Sequence, residues 1–167
     1  NSLGLTEQQP ENNVYRILLE MLAVVLSKNA RARAVQLPAW NEALGLPRPF
    51  DQQWSLRLQQ IVAYETDLLS YGDIFDGSQE IERKVESLKA EARGELDRII
   101  AMGGAVAAID KGYMKEALVA SNTQRLKSIE AGDTKIIGVN MFKEGEPSPL
   151  TTGEGSILTV PENVEYE

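Results

Sequence analysis

The first half of the chain carries two amphipathic helices separated by a single short strand-like run, and that order constrains the fold more than any other feature of the sequence. Over 11–27, Val14, Ile17, Leu18, Met21, Leu22 and Val25 recur at i, i+3, i+4 and i+7, the spacing of one apolar stripe on a helix, and Pro10 suits its first turn. Residues 30–37 form a short run centred on Ala34, Val35 and Leu37 and stopped by Pro38, which predicts a strand buried in a parallel sheet. A second helix is predicted over 52–69, with Asp51 as its N-cap and Trp54, Leu58, Ile61 and Val62 on one face. A helix followed by a strand is half of an α/β unit, so the expected class is α/β, mostly helical.

The remainder is punctuated by turn residues. Pro38, Gly45, Pro47 and Pro49 make 38–50 an irregular connection with a short helical turn at 40–44. After a turn at 71–77, Ser78 caps a helix over 79–102, with Ile81, Val85, Leu88, Ala92, Leu96 and Ile99 inward and Gly103-Gly104 as its stop. A further helix over 113–130, ended by Gly132, has a weaker apolar face and reads as peripheral. The tail, 135–167, predicts a strand in KIIGVNMF, an exposed loop, and a short strand in SILTVP, docked rather than free.

At 167 residues, one core is expected. A net charge of -8 repels phosphate backbones and anionic lipid, so neither nucleic acid nor membrane is an expected partner. The start lacks the basic and apolar regions of a signal peptide, which with the absence of cysteine leads us to expect the cytoplasm. The absence of histidine is more restrictive, because it removes the commonest general base, the commonest transition-metal ligand and every Ser-His or Cys-His pairing. Chemistry here must use carboxylates, amides, hydroxyls or a borrowed cofactor.

Glu65 is the sharpest single candidate. On a helix reaching residue 69 it falls close to Trp54, Leu58 and Ile61, where a carboxylate must be paired, hydrogen-bonded or facing a cavity. The competing reading is that it reaches the rim or pairs with Arg31, Arg33 or Arg57. Gln36 sits at the carboxyl end of the predicted strand, where ligand sites lie in parallel α/β sheets, and Arg33 lies on the same strand facing the other way. Both could equally satisfy loop backbone groups. Trp40, Trp54 and Tyr64 read as packing anchors, and Thr6, Glu7 and Gln8 as a helix-capping or ligand-facing loop. Asp73 and Asp76 lack the spacing of a calcium loop, and no P-loop, GxGxxG or CxxC occurs.

The stretches NSLGLTEQQPENNVYRILLEMLAVVLS, RARAVQLPAWNEALGLPRPFDQQWSLRLQQIVAYETDLLSYGDIFDGS and IIAMGGAVAAI resemble the large catalytic chain of the adenosylcobalamin-dependent acyl-CoA mutases, over residues 1 to about 158. RAVQLPAWNEALGLP and YETDLL are most similar to the ethylmalonyl-CoA mutase branch; other branches tend to have QSLH in place of RAVQ. The resemblance implies the C-terminal portion of a (β/α)8 barrel followed by a helical linker region. Residues 1–77 would hold the last two β/α units, with 10–27 as the seventh helix, 31–36 as the eighth strand and 52–69 as the last helix; 78–167 would be the post-barrel linker with a short β tail. Two strands of eight leave an open edge, so the rest of the barrel and a cobalamin-binding domain of the same enzyme are implied as partners, with an acyl-CoA substrate and a homodimer.

The resemblance further implies a radical 1,2-carbon-skeleton rearrangement, ethylmalonyl-CoA to methylsuccinyl-CoA, by an isomerase in which this chain alone is inactive. Methylmalonyl-CoA or isobutyryl-CoA mutase, or a non-catalytic assembly segment, are the alternatives. Gln36, Arg33 and Glu65 are the cofactor-binding residues it implies, near the adenosyl group, with no catalytic residue and no metal ligand. The family's catalytic histidine and its DxHxxG cobalamin motif are not present.

Overall fold

The structure, a computed structural model, describes residues 2–153 and 157–160. Its α-helices are α1 (Asn12–Leu26), α2 (Pro49–Tyr64), α3 (Gln79–Ala101), α4 (Ala105–Asp110) and α5 (Tyr113–Glu130), with 3-10 turns at Ser2–Gly4, Lys28–Ala30 and Leu68–Ser70. The helical expectation holds; the strands do not form. Among the described residues the only sheet-like pairings are isolated bridges, Leu46 with Leu158 and Ile137 with Met141. A strand is defined by its ladder to a neighbour, and the run 31–37 has none: Ala34 and Gln36 are exposed, and only Val35 and Leu37 are half-buried. Of the expected strand SILTVP, Ser156 and Pro161 lie outside the described residues.

The chain divides into two compact units rather than one: Asn1–Asp76 with the chain from Lys143 on, and Gly77–Phe142. In the first, α1 packs on α2. Asn13, Ile17 and Met21, at i, i+4 and i+8, are the buried positions of α1, and Val62 is its buried counterpart on α2. Trp40 fills the space between the helices at 1% exposure, its ring 6.0 Å from that of Trp54, which meets Phe50 edge-on at 6.1 Å.

Helix α2 begins three residues earlier than predicted. Arg48, not Asp51, is the N-cap, and Pro49 takes the first helical position, where a missing N–H costs nothing. Asp51 reaches back from the first turn and accepts hydrogen bonds from the Arg48 backbone N–H (2.9 Å) and guanidinium (2.8 Å). At its other end α2 stops at Tyr64, five residues short of the predicted end, and Thr66 Oγ1 donates back to the Val62 carbonyl at 2.6 Å. The Lys28 ammonium donates to the carbonyl oxygens of Leu69 (2.7 Å) and Tyr71, which fixes the chain after α2 against the end of α1.

The tail docks on this same unit. The Leu46 N–H donates to the Leu158 carbonyl at 2.6 Å, Ser148 donates to Glu11, and the Gln9 amide donates to the Glu144 carbonyl at 3.3 Å. Glycine is required at position 45, where a Cβ would stand 2.3 Å from the Leu158 carbonyl oxygen.

In the second unit, Ser78 caps α3 as predicted, its hydroxyl accepting from the Ile81 N–H at 3.5 Å, and α5 has the predicted bounds. Helix α4, which the sequence pattern does not reveal, starts after the positive-φ pair Gly103-Gly104, contacts α3 and α5, and buries Ala108. The predicted inward face of α3 is not covered: Ile81, Val85, Leu88 and Leu96 are 41–50% exposed. In place of the strand predicted at KIIGVNMF, Asn140 organises a turn, accepting from the Ile136 N–H at 2.7 Å and donating to the carbonyls of Ile129 (2.8 Å) and Thr134 (2.7 Å).

Candidate functional site

The segment 31–39 runs between two clefts in the first unit. One, of about 210 Å³, takes Arg33 together with Met21, Val25, Val62, Ala63 and Leu69. The other, of about 360 Å³, takes Gln36 together with Leu37, Glu42, Gln52, Leu56 and Gln59. Val35 and Gln59 line both, so Arg33 and Gln36 border adjoining clefts; the clefts divide the segment along its length, 32–35 against one and 35–39 against the other, rather than by alternate residues.

The wall of the larger cleft is held by buried polar contacts. Ser55, 6% exposed, donates from Oγ to the Pro38 carbonyl. Two residues on, the Trp40 carbonyl accepts from Asn13 Nδ2 at 2.8 Å. The same Nδ2 donates to the Thr6 carbonyl at 2.9 Å, while Asn13 Oδ1 accepts from the Thr6 N–H at 3.0 Å and from the Arg16 guanidinium at 2.7 Å. Arg16 also donates to Thr6 Oγ1 at 2.9 Å, and burial pushes its guanidinium below the usual value. Turn hydrogen bonds, Glu42 N–H to Ala39 and Leu44 N–H to Asn41, close the loop. The hydrogen bonds from Arg48 hold the fully buried Asp51 carboxyl down at about 2 against the cost of burial, with the Asn41 amide adding to them. Trp40 Nε1 and Asn41 Oδ1 are buried and have no partner among the described residues.

Glu65 lies elsewhere. Because α2 ends at Tyr64, Glu65 becomes its C-cap, with its N–H donating to the Ile61 carbonyl at 2.9 Å and its side chain exposed. It lines neither cleft, and it stands ten residues beyond Ser55, about 15 Å along the helix axis. It stays in helical register with Ile61, but that side of α2 is open there, Ile61 itself being 44% exposed, and the buried positions of α2 are Asp51, Ser55 and Val62. Trp40 and Trp54 are packing anchors, whereas Tyr64 is 86% exposed. Thr6 is tied into the Asn13 contacts, so its loop is a structural support. Asp73 accepts from the N–H groups of Asn29 (2.7 Å) and Phe75 (2.8 Å), and no cluster of three or more metal-binding side chains occurs among the described residues. No helix among them is long and apolar enough to cross a membrane.

The residue sequence reasoning missed is Asn13. Its signal was available: it stands four residues before Ile17 on the stripe that Ile17 and Met21 bury, and an amide in a buried stripe position needs partners.

Comparison with known proteins adds the following. The family model described as methylmalonyl-CoA mutase matches residues 1–159. The chain is 68% identical over all 167 residues to the ethylmalonyl-CoA mutase of Methylorubrum extorquens, of which it covers 24%, and to that of Cereibacter sphaeroides, of which it covers 25%. It is 33% identical over 140 residues to the methylmalonyl-CoA mutase of Escherichia coli, covering 84% of this chain and 19% of that protein. The chain thus spans about a quarter of the length of these two ethylmalonyl-CoA mutases.

Proposed function

We propose that this chain, which belongs to the methylmalonyl-CoA mutase family, is part of an enzyme that rearranges the carbon skeleton of ethylmalonyl-CoA to methylsuccinyl-CoA. The observation that carries the substrate is the identity pattern, 68% over the whole chain with two ethylmalonyl-CoA mutases against 33% with a methylmalonyl-CoA mutase. On this reading the remaining barrel and a cobalamin-binding domain belong to the same enzyme, which works as a homodimer in the cytoplasm on an acyl-CoA substrate. Residues 1–77 are the last units of a (β/α)8 barrel and 78–167 its linker. The support is the order α1, extended segment, α2, and the lack of any sheet pairing of 32–36 among the described residues, as expected of a strand whose neighbours lie in other parts of the barrel.

The donor set around Gln36, which includes the Glu42 carboxylate, supports a fit to one part of adenosylcobalamin. The carboxamides of Gln36, Gln52 and Gln59 are neutral donors and acceptors set against the apolar Leu37 and Leu56, a combination suited to a nucleoside base and its ribose hydroxyls. With no histidine, the chain has no imidazole to offer the cobalt. The fit is to the adenosyl moiety. When bound, adenosylcobalamin supplies the radical chemistry of the rearrangement. This chain binds and orients: Gln36 by its carboxamide, Arg33 from the adjoining cleft, with Val35, Leu37 and Pro38 excluding water between them. Glu65, outside those clefts, does not fit the group held at Gln36 and enters the proposal as a separate contact to the cofactor.

The test is turnover by the protein that carries this chain, supplied with adenosylcobalamin and compared on ethylmalonyl-, methylmalonyl- and isobutyryl-CoA. Ethylmalonyl-CoA should have the highest kcat/KM by at least about tenfold, equivalent to about 1.4 kcal/mol. A higher value for either rival substrate overturns the assignment.

A further inference from the structure

Asn13 is 0% exposed, and both lone-pair sites and both N–H donors of its carboxamide are engaged, joining Thr6, Arg16 and Trp40. Through it, two loops far apart in sequence share one side chain: the approach to α1 at Thr6 and the approach to α2 at Trp40. The second of these is the loop whose residues 36–39 and 42 line the larger cleft. Its other side-chain tethers are the Ser55 hydroxyl on the Pro38 carbonyl and the Asn41 amide on the Asp51 carboxyl. Between those anchors, the path of the backbone from Gln36 to Glu42 has little freedom. We infer that Asn13 is a positioning residue, a clamp that sets the Gln36 cleft by fixing the Thr6 and Trp40 loops to one another; as a statement about adenosyl binding this rests on the proposed function.

Only a carboxamide meets the requirement. An aspartate in its place would keep acceptors for the Thr6 N–H and Arg16 but would lose both donors, leaving the carbonyls of Thr6 and Trp40 facing an anion. Asn13→Asp is therefore nearly isosteric and removes the link to Trp40 without opening a cavity. Ser55→Ala is a milder second variant that releases the loop at Pro38 alone.

The experiment is amide hydrogen exchange of the whole protein that carries this chain, without ligand, followed by equilibrium dialysis with adenosylcobalamin. In Asn13→Asp, exchange over 39–44 should accelerate at least about tenfold while α1 and α2 keep their protection, and the Kd for adenosylcobalamin should rise about tenfold. Ser55→Ala should show the same localised pattern at smaller amplitude. Unchanged exchange over 39–44 in Asn13→Asp, or acceleration spread evenly through α1 and α2, overturns the clamp. Loosened exchange with an unchanged Kd overturns its role in the cleft. If Asn13→Asp does not fold, Asn13→Ser, which removes the carboxamide and keeps a small polar side chain, decides by the same two readouts. A wild-type protein that neither binds adenosylcobalamin nor acts on ethylmalonyl-CoA overturns the functional reading alone, because the exchange measurement needs no ligand.

Discussion

In the unit formed by 1–76 and the returning tail, the polar Asn13, Asn41, Asp51 and Ser55 are buried alongside Ile17, Met21, Trp40 and Val62; in the unit 77–142 the single buried side chain among the described residues is Ala108. The first unit draws its order from contacts between distant residues, such as Asn13 with Trp40 and Gly45 with Leu158. The second draws its order from neighbours: a serine cap, glycine stops, and ion pairs at i, i+3 such as Glu86 with Lys89 and Glu95 with Arg98. Where position is held by distant partners, removing a shared core side chain such as Trp40 is felt throughout the unit, and breaking one tether frees the loop it holds. Where it is held by local signals, the cost stays within a turn or two.

The largest effect is expected at Trp40. Trp40→Ala empties the best-buried ring of the first unit, and a substitution of that kind costs about 3–5 kcal/mol. Native-state hydrogen exchange should report this loss as a lower opening free energy throughout α1 and α2, with α3 and α5 unchanged. An equal loss in α3 and α5 would break the contrast between the units. Next comes Gly45→Val, whose Cβ would strike the Leu158 carbonyl oxygen. Since overpacking costs about 1–3 kcal/mol, the expected outcome is loss of the Leu46–Leu158 pairing and faster proteolysis in the tail.

The same contrast explains what can be read from the sequence. The bounds of α3 and α5 are legible because Ser78, Gly103 and Gly132 are local punctuation. The strand at 31–36 is legible as a pattern but not as an outcome, since pairing depends on a neighbour that lies outside the run itself. The end of α2 is not legible because no glycine or proline marks Tyr64, and Glu65 misleads because the buried face of α2 runs through Asp51, Ser55 and Val62 rather than through the apolar stripe that ends at Ile61. Gln36 and Arg33 stand out through their places on the segment, but their clefts divide it along its length, 32–35 against 35–39, and not by the alternate faces that a strand would show. Asn13 escapes a count of apolar spacing alone, although a polar residue in the buried register carries as much information as an apolar one.

Acid should separate the units next. The Asp51 carboxyl is held at about 2, mainly by hydrogen bonds from Arg48, against an unperturbed 3.8. A carboxyl depressed in the folded state contributes stability that is present above about pH 4 and is lost as pH falls toward 2. The amount is at most about 2 kcal/mol, reduced by screening because the Arg48 side chain is 29% exposed. Exchange protection of α1 and α2 should fall over that window, and Asp51→Asn should flatten the slope there. An unaltered slope in Asp51→Asn would assign the acid response to other carboxylates.

The smallest effects belong to α3, and their smallness is the point. Ser78→Ala removes a cap whose hydrogen bond is already long, 3.5 Å, so the loss should lie near the low end of the usual cap range, about 0.5 kcal/mol. Lys89→Ala breaks a pair whose side chains are 66% and 71% exposed, and should cost no more than about 0.3 kcal/mol. Both losses should appear in the first turns of α3 for the cap and around residues 86–89 for the pair, without reaching α5. If either substitution instead unprotected the whole of 77–142, the second unit would be as cooperative as the first. Its order would then depend on burial that the exposed face of α3 does not provide within the unit.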